Sequence, residues 1–406
     1  MSWLISGWKY RKKITVQDAY VDSDLADFPA YVFIDADADF HETRADGHDI
    51  RFTLSDGKAL LKYEREHWAG GNGSPATAHF WVKVPSVLAS GGAVIYVYYG
   101  NPNAGDGQDA PNVWDANFKG VWHMKDKTAS TIADSTGVND GTKKAANEPL
   151  EADGKVYKGQ DFDGDDYADC GNDESLRPNY FTVVAWIKQD APSGHDTITV
   201  FSYYFDGYWC ATYFDGFTFY LKFTDGDDGD YNLARGTLAI GKWHHVVFTY
   251  DGTHKRIYAD GKEIWSKERP GILSYSGASL RLGKSSHAEG SGYPFTGIID
   301  EVRISDIART DAWLKFGYHN INEADNEIAW GIEEGILYSE RLMDAYLEKK
   351  MNLSGLLEEK LNISAKTEEK INFSGFLDKQ LDISGKTEEA LAIKGVLKKT
   401  IKEELT

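Results

Sequence analysis

The chain has little cysteine and little basic charge for its length. Only two cysteines, Cys170 and Cys210, occur in 406 residues, too few for a disulfide framework, so we expect both to be reduced. Lys and Arg together number 44 against 64 Asp and Glu, and the formal net charge is −20. Because no basic face is available to neutralise phosphates, this composition argues against nucleic acid or an anionic membrane as the partner.

Long apolar runs, a secretion leader and common catalytic motifs are also missing. No stretch approaches the roughly 18 apolar residues that indicate a membrane-spanning helix. Met1–Trp8 lacks the charged start and apolar core of a signal peptide. If the chain is complete, it is expected to be made in a cytoplasm; a leader that has been trimmed away is the alternative. Gly-x-Ser-x-Gly, His-Glu-x-x-His and phosphate-loop motifs do not occur.

Residues 118–333 carry a dense series of short, alternating strand patterns. The pieces are rich in β-branched and aromatic residues and are separated by Gly, Asp and Asn: Phe181–Ile187, Phe217–Phe223, Trp243–Tyr250, Arg256–Ala259 and Ile298–Ile304. This pattern is typical of an antiparallel β-sandwich. Thr310–Tyr318 is predicted to form a short helix with Thr310 as its N-cap, and Glu327–Ile332 to form a closing strand.

Residues 1–117 predict a second sandwich, of jelly-roll type. The alternating pieces here are Trp8–Val16, Tyr31–Asp35, Asp49–Leu54, His79–Val84 and Val94–Tyr99. The junction Val113–His123 has no Pro-, Gly- or Ser-rich linker. We therefore expect the two sandwiches to pack against one another rather than to be flexibly tethered.

Two family resemblances follow from these residues. Five motifs of the second part occur in the order of a laminin-G-like module of the concanavalin A-like lectin/glucanase superfamily: Asp161–Tyr167, Phe181–Lys188, Gly241–Val246, Tyr258–Lys262 and Gly297–Ile304. This resemblance implies binding of glycans or protein receptors, and only sometimes catalysis. Motifs of the first part resemble a domain of unknown function that often precedes such modules in surface proteins: Gly7–Ile14, Gly47–Phe52, Val82–Pro85 and Ile95–Pro102. That second resemblance implies architecture but no chemistry.

The composition changes after about residue 334, where a repetitive tail begins. Residues 338–350 fit an amphipathic helix. From residue 351 a ten-residue repeat places apolar residues at its first and third positions, which predicts strands. A zigzag with turns at opposite ends and a β-solenoid both fit. A single copy has nothing to bury its thin apolar stripe against, and its strand edges would lie open, so we expect self-association through this tail as a trimer, with a dimer or larger ring as the alternative.

The expected fold class is therefore all-β. Its parts are residues 1–117, residues 118–333 and the helix-plus-repeat tail of residues 334–406.

The richest aromatic stretch with polar neighbours is the candidate ligand site. Sugar rings stack on aromatic side chains, while neighbouring polar groups bond their hydroxyls. The predicted ligand-binding residues are Tyr204, Tyr208, Trp209, Tyr213 and Tyr231. Because strands alternate, about half of them are core residues in the competing interpretation.

Calcium is the predicted metal, in a structural role. The lectin-like resemblance implies an ion that joins the start of the sandwich to its last strand through Asp300, with Asp134 of an early loop as partner. The acidic stretches at 161–166 and 225–230 are explained equally well as turns, because Asp and Gly are favoured there.

Catalysis is not expected. Glycan-cleaving relatives use a carboxylate pair on one face of a strand, and no Glu-x-Asp-x-x-Glu occurs here. Asp300 and Glu301 are adjacent, so strict alternation places them on opposite faces. His244 and His245 are also adjacent, so alternation places them on opposite faces, and a core or surface role is favoured over catalysis.

The sequence thus favours a non-enzymatic adhesion protein that binds a glycan or cell-surface receptor. A virion fibre, spike or decoration protein is the preferred setting, at the virion surface or outside the cell, with other virion proteins as candidate partners. A carbohydrate-binding surface or secreted protein of a bacterium or archaeon is the alternative, and a glycan-cleaving enzyme the third.

Overall fold

Two β-sandwiches account for the part of the chain that the structure describes. The structure is a computed structural model, and it describes residues 7–144, 148–191, 194–201, 206–285, 292–322 and 327–335. The expected all-β fold class is confirmed, with one α-helix among the described residues. Residues 336–406, which contain the predicted helix and the ten-residue repeats, lie outside the described residues.

The first sandwich contains strands that precede the second sandwich along the chain and one strand that follows it. Its N-terminal strands are β1 (Tyr10–Val16), β2 (Leu25–Asp37), β3 (Arg51–Leu54), β4 (Tyr63–Gly71), β5 (Ser74–Val87) and β6 (Ala93–Tyr99). The other strands among the described residues are β7 (Phe118–Trp122), β8 (Thr131–Ile132), β9 (Gly141–Lys143), β10 (Leu150–Asp153), β11 (Lys158–Asp163), β12 (Ala168–Asp169), β13 (Phe181–Gln189), β14 (His195–Phe201), β15 (Asp206–Tyr213), β16 (Gly216–Phe223), β17 (Gly226–Leu233), β18 (Trp243–Tyr250), β19 (His254–Ala259), β20 (Lys262–Glu268), β21 (Leu280–Leu282), β22 (Thr296–Ser305) and β23 (Ile328–Gly335). Helix α1 spans Asp311–Asn322, and short 3₁₀ turns lie at Ala38–Glu42, Ala110–Asn112 and Glu174–Leu176.

The second sandwich consists of two eight-stranded sheets. One has the order β10-β11-β22-β13-β18-β19-β20, with β7 also paired to β22; the other runs β17-β16-β15-β14-β21-β12-β9-β8. Alternate residues of β13 and β16 fill the core between them: Phe181, Val183, Ala185, Ile187, Phe217, Phe219, Leu221 and Phe223. The period-two pattern of the sequence therefore marks the inner faces correctly.

The outer face of β13 is buried as well, because it packs on the first sandwich. Val184 and Trp186 of β13, with Val247 and Tyr258 of the neighbouring strands, belong to the same core as Trp81 of β5. This confirms the expectation that the two sandwiches pack against one another. It also explains why β13 is apolar on both faces.

Helix α1 and strand β23 follow the second sandwich in sequence but complete the first. Thr310 caps α1 as predicted, since its Oγ1 accepts a hydrogen bond from the Trp313 N–H at 3.3 Å. The Asn320 side chain bonds both the N–H and the carbonyl of Tyr31 in β2, at 2.7 and 3.1 Å. The predicted closing strand is confirmed as a strand, but its expected place in the second module is wrong.

Strand β23 is the edge of the first sandwich's four-stranded sheet, in the order β23-β1-β6-β3. The guanidinium of Arg11 in β1 bonds Glu334 at 2.6 Å, and the Tyr99 hydroxyl of β6 donates to Glu333 at 2.7 Å. The place of β23 depends on which sheet has an unpaired edge strand in the folded protein. A local sequence pattern does not indicate this.

A β-bulge in β22 changes the direction of one side chain. The register against β13 shifts between Val184 and Trp186, and Glu301 has a positive φ of 50°. Ile299 and Val302 both point into the second core, so Asp300 and Glu301 both lie on the outer face. The prediction that these two carboxylates point to opposite faces is therefore wrong, because the extra residue interrupts the alternation.

No helix among the described residues is long and apolar enough to cross a membrane.

Candidate functional site

Aromatic side chains gather on the outer side of β14–β17, the sheet that lies away from the first sandwich. Inward-pointing Tyr208 and Cys210 of β15 belong to the core, whereas Trp209 and Ala211 point outward. We call this surface the aromatic face; its side chains are His195, Thr197, Trp209, Tyr213, Thr218, Tyr220, Tyr231 and Tyr293.

His195 lies at the centre of the aromatic face. Its ring centroid is 4.4 Å from that of Tyr213, 5.1 Å from Trp209, and 5.3 Å from both Tyr231 and Tyr293. Tyr213 and Tyr293 are half-buried and Tyr231 is exposed. The rings therefore form a partly accessible surface around one imidazole.

The polar groups that bond His195 and Trp209 are neutral donors and acceptors. His195 Nδ1 lies 2.8 Å from the Thr218 hydroxyl, and the indole N–H of Trp209 donates to Thr197 at 3.1 Å. Burial lowers the pKa of His195, so its imidazole is uncharged at neutral pH. Aromatic rings next to neutral hydrogen-bonding groups suit an uncharged, hydroxyl-rich ligand, whose C–H faces stack on the rings.

The glycine at position 229 leaves room for the side chains of two of the tyrosines. A Cβ at Gly229 in β17 would lie 2.5 Å from the Tyr231 hydroxyl and 2.7 Å from the Tyr220 ring. Even a methyl group at this position would require both tyrosine side chains to shift.

The aromatic face contains three of the five predicted ligand-binding residues. Trp209, Tyr213 and Tyr231 come together there, but Trp209 is only 1% exposed and supports the other rings from beneath. The prediction for Tyr208 is wrong, because alternation along β15 turns its side chain into the core, where it is fully buried. Tyr204 lies outside the described residues.

His195, Thr218, Tyr220 and Tyr293 also belong to the aromatic face but are not among the residues predicted from sequence. Alternation along β16 would have found Thr218 and Tyr220, because they sit between the inward-pointing Phe217, Phe219 and Leu221. No local signal marks Tyr293, which precedes β22 and meets Trp209 only in the folded chain.

A second group of polar residues is buried where the two sandwiches meet. We call it the joint cluster: Glu64 and Glu66 of β4, His123 after β7, and Glu301 and Arg303 of β22. His123 Nδ1 lies 2.6 Å from Glu301 Oε1 and 3.5 Å from Glu66 Oε2, and its Nε2 lies 3.2 Å from Glu64 Oε2. The imidazole is thus surrounded by three carboxylates.

Further donors hold each carboxylate of the joint cluster. The indole N–H groups of Trp81 and Trp114 donate to Glu66 at 2.8 Å and to Glu64 at 3.1 Å. Ser135 donates to the other oxygen of Glu64 at 2.6 Å, and Arg303 bonds Glu301 Oε2. The Arg303 guanidinium also lies 4.1 Å from the Trp81 ring centroid.

Burial and neighbouring charges shift the pKa values in opposite directions. Burial alone lowers the pKa of His123, but Glu301, Glu64 and Glu66 outweigh it and raise the pKa well above its usual value. Burial would raise the pKa of Glu64, yet His123 outweighs it and holds that pKa at about 2. For Glu66, burial and the charge of Glu301 dominate and raise the pKa to about 7.

The calcium prediction can be compared with the geometry of its two carboxylates. Asp134 already accepts hydrogen bonds from the backbone N–H groups of Val121, Thr136, Val138 and Asn139, so it fits an ion poorly. Asp300 accepts from Lys155 and Val156, and its buried Oδ1 has no hydrogen-bond partner, so it fits better. Calcium stays a prediction.

If Asp300 holds calcium, removing the ion lowers the melting temperature of the protein. Calcium takes six to eight oxygen ligands, and an ion bound only to the folded state stabilises that state. We expect chelation with EGTA to lower the melting temperature measured by calorimetry, and Asp300→Asn to abolish the difference. Equal melting curves with and without EGTA, and no calcium by elemental analysis, would contradict the prediction.

Both family resemblances are confirmed by comparison with known families. Residues 162–315 match the family model described as the concanavalin A-like lectin/glucanases superfamily. Residues 46–134 match the one described as a domain of unknown function, DUF2341. No curated protein matches the chain.

Several solved structures are similar to about half of this chain. Domain 4 of an extracellular arabinanase from Geobacillus stearothermophilus, solved with arabinotriose, is 21% identical, with a TM-score of 0.41 over 50% of this chain and 98% of that chain. The binding domain of a paraclostridial mosquitocidal protein is 13% identical (TM-score 0.41, 52% of this chain and 53% of that one). The binding domain of botulinum neurotoxin serotype D is 12% identical (TM-score 0.40, 50% and 51%).

Proposed function

We propose that the second sandwich binds a carbohydrate on its aromatic face and does not cleave it. The observation that carries the proposal is the group of Tyr213, Tyr231 and Tyr293 around the neutral imidazole of His195. The match of residues 162–315 to the lectin/glucanase superfamily supports it.

The position of the aromatic face in the molecule also supports this proposal. The outer side of β13 and β18 is buried against the first sandwich. The aromatic face belongs to the opposite sheet, whose order includes β14, β15, β16 and β17. A ligand can therefore approach the aromatic face without separating the two sandwiches.

Binding without cleavage agrees with the state of the carboxylate beside the rings. Asp227 forms an ion pair with Lys222 at 2.7 Å. Hydrogen bonds from Lys222 and Tyr220 lower the pKa of Asp227, whereas a glycosidase acid needs a raised pKa. Asp227 is thus suited to accept hydrogen bonds from sugar hydroxyls rather than to donate a proton.

Loss of one exposed ring should weaken binding. A glycan array with the full chain identifies the ligand, and calorimetry then compares variants. We expect Tyr213→Ala and Tyr231→Ala each to raise the Kd about tenfold or more, because an aromatic anchor contributes ~1.4 kcal/mol or more. Tyr180→Ala is the matched control, since Tyr180 is an exposed tyrosine, 52% accessible, outside the aromatic face.

Two results would overturn this proposal. Equal affinities for all three variants would show that the ligand binds elsewhere. Release of reducing sugar from a bound polysaccharide would show that the protein is an enzyme.

We further propose an adhesive role for the whole chain, as a virion fibre, spike or decoration protein at the virion surface or outside the cell. The support is the lectin-like sandwich together with the ten-residue repeats from residue 351. A carbohydrate-binding surface or secreted protein of a bacterium or archaeon is the alternative. Imaging the native assembly distinguishes the two settings.

The tail should set the oligomeric state. Each repeat presents a narrow apolar stripe that one chain cannot bury, so chains associate to cover it. We expect light scattering to give a trimer for the full chain and a monomer for a chain that ends at residue 335. A dimer or larger ring for the full chain would still show self-association through the tail, with a number of chains other than three. Monomers in both cases at micromolar concentration would contradict it.

A further inference from the structure

The joint cluster contains more negative charge than its own guanidinium balances. Glu64, Glu66 and Glu301 supply three carboxylates and Arg303 one fixed cation, and every one of these residues is at most 6% exposed. Two negative charges remain when His123 is neutral. Since uncompensated charge is costly in a buried site, either two protons or one divalent cation must neutralise them.

The cluster also has an acceptor that no protein group uses. Glu66 Oε1 is buried and has no hydrogen-bond partner in the protein. The Glu66 side chain is inaccessible to solvent, so bulk water does not replace that partner. Such an atom loses its bonds to water without gaining others on folding. A bound cation would satisfy it.

The donor atoms are close enough to share one small ion. One ligand atom from each of Glu66, His123 and Glu301 lies within 4.8 Å of the others. Glu66 Oε2, which also accepts the Trp81 N–H, is 3.5 Å from His123 Nδ1, so the ion would bind this oxygen, or the carboxylate would turn to present the unpartnered Oε1. Ligand atoms around a tetrahedral ion at ~2.1 Å are about 3.4 Å from one another. The shorter 2.6 Å separation of His123 Nδ1 and Glu301 Oε1 would have to widen when the ion replaces the shared proton.

Two of these three residues are oriented by a second hydrogen-bond partner, and His123 has a second carboxylate close by. His123 Nε2, on the far side of the ring, lies 3.2 Å from Glu64 Oε2 without a well-formed hydrogen bond. Glu66 Oε2 is held by Trp81, and Glu301 Oε2 by Arg303. A metal-bound imidazole characteristically donates its other N–H to a carboxylate, and Glu64 stands in that position.

We propose that the joint cluster binds one divalent transition-metal ion, best matched by Zn²⁺, through His123, Glu66 and Glu301. One imidazole with carboxylates suits zinc, whereas calcium prefers six to eight oxygens. This site is separate from the aromatic face, and its ion would stabilise the contact between the two sandwiches. Glu66 belongs to the first sandwich and Glu301 to the second, so the ion cross-links them.

Metal content and thermal stability test the proposal on the full chain without an affinity tag. The protein is incubated with ZnCl₂ or with EDTA, passed over a desalting column, and analysed by elemental mass spectrometry and calorimetry. Because the ligands are buried, the incubation also includes a sample refolded from denaturant with Zn²⁺. We expect about one zinc per chain and a melting temperature at least about 5 °C above that of the EDTA-treated protein.

Variants distinguish the joint cluster from other acidic groups. Glu66→Gln keeps the size of the side chain and should reduce zinc to below about 0.2 per chain and remove the rise in melting temperature. Asp163→Asn/Asp165→Asn, in the exposed acidic turn that also brings three carboxylates together, is the control and should keep the zinc. Glu64→Gln leaves all three ligands in place and should weaken zinc binding about tenfold, as a lost outer partner does.

Three outcomes would overturn the proposal. The first is wild-type protein with no zinc after both incubations. The second is zinc that Glu66→Gln and Glu64→Gln retain at the wild-type level. The third is zinc that only Asp163→Asn/Asp165→Asn removes. If Glu66→Gln does not fold by circular dichroism, Glu64→Gln and the absorption spectrum of the cobalt-loaded protein, which reports nitrogen and oxygen ligands in a tetrahedral site, decide the question.

Discussion

His123→Ala should lower the free energy of unfolding by about 3–5 kcal/mol, the usual result of removing one partner from a buried charge cluster. His123 lies between the carboxylates of Glu64, Glu66 and Glu301. Without the imidazole, these carboxylates repel one another, and the cations Arg303 and Lys125 compensate them only in part. The denaturant midpoint of the full chain, measured in EDTA so that no metal contributes, gives the change.

A surface histidine is the control for the His123 result. The side chain of His41 is 48% exposed, and His41→Ala should change the free energy of unfolding by less than about 0.5 kcal/mol. Combining His123→Ala with Glu301→Gln should cost less than the sum of the two single changes, because the second removes a charge that the first left unpaired. Additive changes, or a small effect of His123→Ala alone, would show that the joint cluster does not hold the sandwiches together.

Ending the chain at Arg309 should unfold the first sandwich while the second retains its core. The deletion removes α1 and β23, which follow the second sandwich in sequence but pack on the first. Trp313 and Phe316 of α1 both contact Phe28 of β2, with ring centroids 5.2 and 5.0 Å apart. Loss of one such buried ring costs ~3–5 kcal/mol, and a whole domain is stable by only ~5–15 kcal/mol.

Hydrogen exchange measured by mass spectrometry separates the two sandwiches in this experiment. Peptides from β1, β2 and β6 should lose their protection in the chain that ends at residue 309 and keep it in the chain that ends at residue 335. Peptides from β16 and β18 should stay protected in both, because their core lies within the second sandwich. Unchanged protection of β1 would show that the first sandwich folds without its C-terminal parts.

Local pattern accounts for the features that the sequence predicted well. The inner faces of β13 and β16 follow from period-two alternation, and the N-cap of α1 follows from Thr310. Trp209, Tyr213 and Tyr231 lie together on the aromatic face, and their role in ligand binding stays a prediction. The same alternation, applied strictly to β15, would have removed Tyr208 and directed attention to Thr218 and Tyr220 of β16.

By itself, the sequence determined the all-β class, the two sandwiches, the acidic net charge and the two family resemblances, because composition and alternation are local properties of the chain. Only the tertiary structure decided that β23 joins the first sheet, that a bulge turns Glu301 toward His123, and that Tyr293 meets His195. Each of these depends on contacts between residues distant in sequence. Sheet edges and register shifts form only when strands that are distant in sequence pair with one another. The joint cluster is buried only where the two sandwiches pack, so it has no signature in the sequence.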